Sequence, residues 1–157
     1  IRAKGPQLPE PKPAVKPRLA TFLAPEIAQG LVEVRDFDDR SIVTIRGDGL
    51  FEPGSATLES GREPLMLRIG DALASLQGRV VITGHTDNSP IKSARFPSNW
   101  HLSQERAKSV AAIIERKVLQ SSRGQAEGRA DSEPVASNDT AQGKAKNRRV
   151  ELTVFIK

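Results

Sequence analysis

Apolar residues recur along the chain in two periods. From about Arg62 to Leu76 the spacing is helical, with Leu65, Ile69, Ala72, Leu73 and Leu76 on one face. Gly78 supplies a stop for that helix. A second helical stripe runs through Ala107, Val110, Ala111, Ile114 and Val118. It predicts a helix from Ser103 to about Gln120, with Ser103 as its N-cap. Elsewhere the period is two. In LVEVRDFDDRSIVTIRG, Leu31, Val32 and Val34 precede Asp38-Asp39, and Ile42, Val43 and Ile45 follow them. The acidic pair is turn chemistry between β-branched runs, so the segment predicts a hairpin. RVVITGH reads as a short strand of the sheet interior, and GQAEGRAD as a short strand with exposed flanks. RVELTVFIK alternates strictly through Val150, Leu152, Val154 and Ile156. APEIAQG fits a short helix with Pro25 in its first turn. The stretches GDGLFEPGSATL, TDNSPIKSARFPSNWH and SEPVASNDTAQGKAKN lack periodicity and read as loops.

The element order is therefore β-β-α-β-α-β-β, with no internal repeat. The simplest packing is α+β in two layers, with the two main helices on one face of a mixed sheet. Pro6, Pro9, Pro11, Pro13 and Pro17 fix φ and remove backbone donors, so residues 1–18 read as an extended tether. Residues 19–40 carry the short helix and first strand leading into the domain, and residues 41–157 form the domain itself.

Composition narrows the function. With 37% hydrophobic and 27% charged residues a core is within reach, but aromatics at 4% leave it to Val, Ile, Leu and Ala. The absence of cysteine excludes disulfides, thiolate metal sites and a cysteine nucleophile. A net charge of +5 suits an anionic partner and equally a solvated surface. No apolar run approaches the ~20 residues of a membrane span, so contact with a membrane is expected only through a segment upstream of this sequence. His85 and His101 have no helix-borne zinc spacing and no third ligand, so neither a metal nor any other cofactor is expected. Ser103 and His101 are too close along a helix to face one another as a dyad. Trp100 is expected to pack on its own scaffold. Nucleic-acid binding lacks interleaved aromatics and a recognition motif.

Polar functional groups are densest from His85 to Arg106. This loop leaves a buried strand and enters a helix, a junction whose backbone N–H groups favour anions. Asp87 follows the strand, Asn99 closes the loop and Arg106 sits on the first helical turn. An acid and a guanidinium facing one cavity suit a zwitterion, the Asp taking an ammonium and the Arg a carboxylate. A structural salt bridge between loop and helix fits the same spacing, and the residues alone leave both readings open.

The run GHTDNSPIKSARFPSNWHLSQERAKSVAAII resembles the core motif of OmpA-like peptidoglycan-binding domains. That pattern is a strand ending in Gly-x-Thr-Asp, a loop reaching Asn, then Leu-Ser-x-x-Arg-Ala-x-x-Val. Gly84, Thr86, Asp87, Asn99, Leu102, Ser103, Arg106, Ala107 and Val110 fill it. The closing NRRVEL and the segment GDGLFEPGSATL are also similar to the family, so the resemblance spans about Ser41 to Lys157. It implies an OmpA-like fold that binds the diaminopimelate of the peptidoglycan stem peptide. Asp87 would receive the ammonium and Arg106 the carboxylate. Thr86, Asn99, Leu102 and Ser103 would support them, and Arg148 would line the pocket.

Asp87 and Arg106 are 19 positions apart, farther than in the porin and lipoprotein members. The intervening PIKSARFPSNW resembles the loop of flagellar stator MotB proteins and of TssL proteins of type VI secretion systems. The upstream segment from Arg18 to Phe51 is more similar to TssL. The resemblance thus implies a non-enzymatic periplasmic domain of an inner-membrane-anchored protein in a Gram-negative bacterium. Its partners would be peptidoglycan and other subunits of a secretion membrane complex, and a homodimer is allowed. A stator anchor and a domain acting only in protein–protein assembly are the alternatives.

Overall fold

The hairpin opens the sheet. β1 (Val32–Asp36) and β2 (Arg40–Arg46) pair antiparallel, with Val34 opposite Val43. The computed structural model describes residues 18–52, 54–74, 78–91, 96–115 and 124–155. The proline-rich stretch up to Pro17, and Leu76, Val118 and Ile156 of the predicted stripes, lie outside these residues. β5 (Arg149–Phe155) runs antiparallel between β2 and β3 (Val80–His85). β4 (Gly124–Gly128) lies parallel to β3 at the edge. The sheet order is β1-β2-β5-β3-β4, and the sheet is mixed, as the pattern predicts.

Alternation decides which face is covered. Val43 and Ile45 of β2, Val80 and Ile82 of β3, and Val150, Leu152 and Val154 of β5 are all buried. They share one core with the two main helices, α3 (Glu63–Ala74) and α4 (Asn99–Ile114). α3 contributes Met66, Ile69, Ala72 and Leu73, and α4 contributes Ala107, Val110, Ala111, Ile113 and Ile114. Each large aliphatic side chain buried there stabilises the fold by about 1.5–3 kcal/mol. Leu65, expected inside, is half-buried, and Met66 takes the interior position.

Three local expectations need correction. First, α4 begins at Asn99, not at Ser103. Ser98 is the N-cap, its hydroxyl accepting the His101 N–H at 3.4 Å. Ser103 is therefore inside the helix and fully buried, and Arg106 lies two turns in rather than on the first turn. Second, the expected short helix forms as α2 (Ala24–Ala28), with Pro25 in its first turn, but an unexpected helix, α1 (Leu19–Phe22), precedes it. The start of α1 is capped from β1, since the Asp36 carboxylate accepts the N–H groups of Arg18, Leu19 and Ala20 at 3.0, 3.3 and 3.0 Å. Leu19 and Leu23 are fully buried. Third, the expected loop after β4 contains α5 (Ala141–Asn147), capped by Thr140, whose Oγ1 accepts the Gly143 N–H at 2.9 Å. Two alanines and a central glycine give this helix no apolar stripe to be read.

Two glycines set how closely α4 lies on the sheet. A Cβ at Gly84 of β3 would collide with the Ser103 backbone, and one at Gly128 with Ser103 Oγ and the Gln104 backbone. Direct contact of helix and strand backbones requires hydrogen at both positions. Among the described residues no helix is long and apolar enough to cross a membrane.

Candidate functional site

Strand register gathers the site. Arg46 and His85 both stand opposite Arg149, so Asp48, Asp87 and Arg148 emerge at one end of the sheet. Thr86 continues from β3 with its N–H donating to the Ala130 carbonyl at 2.8 Å and its hydroxyl to the Asp87 carbonyl at 2.7 Å. Asp87 Oδ1 accepts the Ser89 N–H at 2.8 Å, an Asx turn. Ser89 is pinned from two further sides, its carbonyl accepting Asn99 Nδ2 at 3.0 Å and its hydroxyl Lys144 Nζ at 3.1 Å. The start of the loop is thus tied to both α4 and α5.

Ser103 acts from behind the site. Its Oγ accepts the Ala130 N–H and donates to the Trp100 carbonyl, both at 3.1 Å. Ala130 holds a left-handed backbone, φ 51°, which costs an L-residue about 1–2 kcal/mol. It links Ser103 to Thr86, so the predicted helix-start serine supports the strand end rather than facing outward. Leu102 is buried beside it.

The charged groups do not pair as a loop-to-helix salt bridge would. Asp87 Oδ2 accepts Arg148 Nη1 at 2.5 Å, while Arg148 Nε and Nη2 grip both oxygens of Asp48 at 2.8 and 2.9 Å. The hydrogen bonds to Asp48 and then Asp87 hold the Arg148 guanidinium above its ordinary pKa. The same bond holds the Asp48 carboxyl below the usual carboxylate range. Arg106 is placed otherwise. Its Nε donates to the Ser55 carbonyl at 2.7 Å, and its guanidinium lies 4.8 Å from the Phe51 ring centroid. Burial lowers its pKa, with Asp48 opposing that shift and Arg148 adding to it. Among the described residues Nη1 and Nη2 have no protein acceptor. Charges therefore alternate in the order Arg106, Asp48, Arg148, Asp87.

Sequence reasoning missed Asp48, Phe51 and Ser55. The Asp48–Arg148 pair spans 100 residues and the Ser55–Arg106 bond 51, so no local signal announces either. The neighbouring residues of NRRVEL have separate tasks. Asn147 is fully buried and staples the preceding loop, accepting the N–H groups of Val135 and Ala136 at 2.7 and 3.0 Å. Arg149 is buried against Glu151, at 2.8 Å, and the carbonyls of Asn147 and Glu133.

Trp100 departs from expectation, standing on the first turn of α4 with 52% of its surface exposed. His101 hydrogen-bonds Ser98 Oγ through Nδ1 at 2.8 Å, and Ser103 is engaged elsewhere, so the two do not form a dyad. Among the described residues no group of three or more His, Asp or Glu side chains could hold a metal ion.

A two-layer domain with helices on one face of a mixed sheet, and a charged cluster at the β3 end, defines the class. The profile of the OmpA family matches residues 50–148, and the chain belongs to that family. In particular, the chain is similar to the cell wall anchor of the T6SS from Pseudomonas aeruginosa. That structure superposes with a TM-score of 0.86 at 53% identity, over 90% of this chain and 99% of the other. Motility protein B of Bacillus subtilis is 37% identical over 143 residues, 90% of this chain and 55% of that protein. Peptidoglycan-binding protein ArfA of Mycobacterium tuberculosis is 35% identical over 105 residues, 66% of this chain and 31% of that protein. The chain spans about half the length of the first curated relatives it matches. The periplasmic domain of Helicobacter pylori MotB, at 23% identity and a TM-score of 0.73, shares the fold.

Proposed function

We propose that this chain is a noncovalent peptidoglycan-binding domain that grips the diaminopimelate of the stem peptide. The observation that carries this reading is the guanidinium of Arg106, fixed by Ser55 and Phe51 with two terminal nitrogens free of protein acceptors among the described residues. Such a fork receives a carboxylate through two charge-assisted hydrogen bonds. Asp87 receives the ammonium in exchange for a single contact of Arg148, which stays paired to Asp48. Thr86, Asn99, Leu102 and Ser103 hold the frame. Family membership and the peptidoglycan-binding relative support the ligand.

The similarity to the T6SS cell wall anchor over nearly the whole of that chain supports the larger setting. There the domain is periplasmic, residues 1–18 tether it to an inner-membrane-anchored protein, and residues 41–157 hold a secretion membrane complex to the wall. Other subunits of that complex, or a second copy of the chain, complete the assembly. The second reading is a flagellar stator anchor, favoured by the similarity to Motility protein B over 90% of the chain.

Co-sedimentation with diaminopimelate-type sacculi tests the ligand. The wild type should pellet, and Asp87→Ala and Arg106→Ala, verified as folded by circular dichroism, should stay in the supernatant. Hydrogen bonds to charged groups contribute about 1.5–3 kcal/mol each, so either loss should lower affinity roughly tenfold to a hundredfold. A folded wild type that stays in solution would sink the proposal. Co-purification of the full-length protein with secretion or motor subunits separates the two settings.

A further inference from the structure

We propose that the groove along the exposed face of α4 is a saccharide subsite that takes an uncharged N-acetylated sugar of the same wall polymer. This rests on the peptidoglycan reading above and extends it from the peptide to the glycan.

The groove has a volume of about 770 Å³, within the range of small-molecule sites. Trp100 stands on its wall with 52% of its surface exposed, while Phe96 beside it is buried. Val135 is the other large hydrophobic exposed among the described residues, and it lies outside the groove. An indole on a helix is rigid and presents a broad face. The C–H face of a pyranose stacks on such a surface, while an indole N–H and nearby polar groups meet hydroxyl and acetamido groups.

The polar lining points to an uncharged ligand. Lys108 Nζ lies 3.4 Å from Glu105 Oε2, so the groove's cation and anion answer each other. His101 uses Nδ1 on Ser98 and leaves Nε2 for a ligand. A phosphate or a nucleic acid would need unpaired lysine or arginine charge, which the lining lacks among the described residues.

Position links the groove to the site already described. Two successive carbonyls of one loop divide them. Ser55 accepts Arg106 Nε at 2.7 Å on the carboxylate-receiving side. Ala56 accepts Ser109 Oγ at 2.7 Å, and both Ala56 and Ser109 line the groove. A polymer whose peptides branch from a chain of N-acetylated sugars carries both chemistries close together. Two weak contacts to one such polymer multiply in affinity.

The chain has one tryptophan, so its fluorescence reports on this groove alone. The probe is tri-N-acetylchitotriose, which carries neither peptide nor charge. The expected result is a saturable change in emission for the wild type and for Arg106→Ala. Trp100→Ala should weaken sacculus binding about fivefold, in line with a ring-stacking contact, and Trp100→Phe should recover part of it. Neither variant should change affinity for the isolated stem peptide. No response to the sugar, with stem-peptide binding intact, would overturn the subsite and leave the peptide reading standing. A sugar response without stem-peptide binding would keep the subsite and sink the peptide reading. Loss of a secretion subunit in place of the sugar on Trp100→Ala would reassign the groove to protein docking.

Discussion

Arg148 commits all three of its nitrogens to carboxylates, two to Asp48 and one to Asp87. Among the described residues Arg106 commits Nε alone, to the Ser55 carbonyl. The two guanidinium groups belong to one row of charges and differ in what surrounds them. Saturation by anions holds Arg148 charged and makes it an internal counter-ion. Burial destabilises the charge on Arg106, against the attraction of the Phe51 ring, and among the described residues its outer donors stay open. A partly desolvated cation with unused donors is poised for an incoming carboxylate, because the cost of removing its water is already met by the fold. Proximity to the site therefore does not make the two residues equivalent.

The largest effect should follow removal of the open side. Arg106→Ala should lower stem-peptide affinity roughly tenfold to a hundredfold by calorimetry on protein verified as folded. Arg106→Lys should not restore it, since an ammonium cannot offer the planar fork. Next, Gly84→Ala should force α4 away from β3, moving Arg106 relative to Asp87. Overpacking of this kind costs about 1–3 kcal/mol, to be read in urea unfolding. Asp48→Asn acts on the saturated side. It removes the two-pronged hold on Arg148, turns Arg148 more firmly onto Asp87, and should weaken ligand binding about fivefold, roughly 1 kcal/mol.

The smallest effect concerns stability alone. His85 precedes the site on the face away from α4, buried beside Arg149, Glu151 and Arg129, with Nε2 4.0 Å from Glu151 Oε1 and neither ring nitrogen hydrogen-bonded among the described residues. Burial and the neighbouring arginines lower its pKa from 6.5 to about 4, against the pull of Glu151. The unfolded chain thus takes up this proton at higher pH than the folded one. Its contribution to stability is full above about pH 6.5 and declines as the pH falls toward 4. His85→Leu should flatten that part of the melting-temperature profile. An unchanged profile would show that another group sets it.

Much of the fold was legible because its signals are local. The two-residue alternation of Val150, Leu152 and Val154, and the helical stripe of Ala107, Val110, Ala111 and Ile114, are properties of single segments. The start of α4 is ambiguous in the sequence because Ser98 and Ser103 are both good caps, and only Ser103 adjoins the apolar stripe. The cap of α1 comes from Asp36 in a strand, beyond the reach of any local rule. At the site, Asp87, Arg106 and Arg148 stood out through the resemblance of their motifs to the family pattern. What separates Arg106 from Arg148 could not be read, because Asp48 and Ser55 reach them across the fold.

The most direct test is a calorimetric titration of a diaminopimelate-containing stem peptide into the wild type, Arg106→Ala and Arg148→Gln at pH 7. The account predicts saturable binding by the wild type, loss in Arg106→Ala, and retention within a few-fold in Arg148→Gln. A wild type that does not bind, or loss in Arg148→Gln with binding retained in Arg106→Ala, would contradict it.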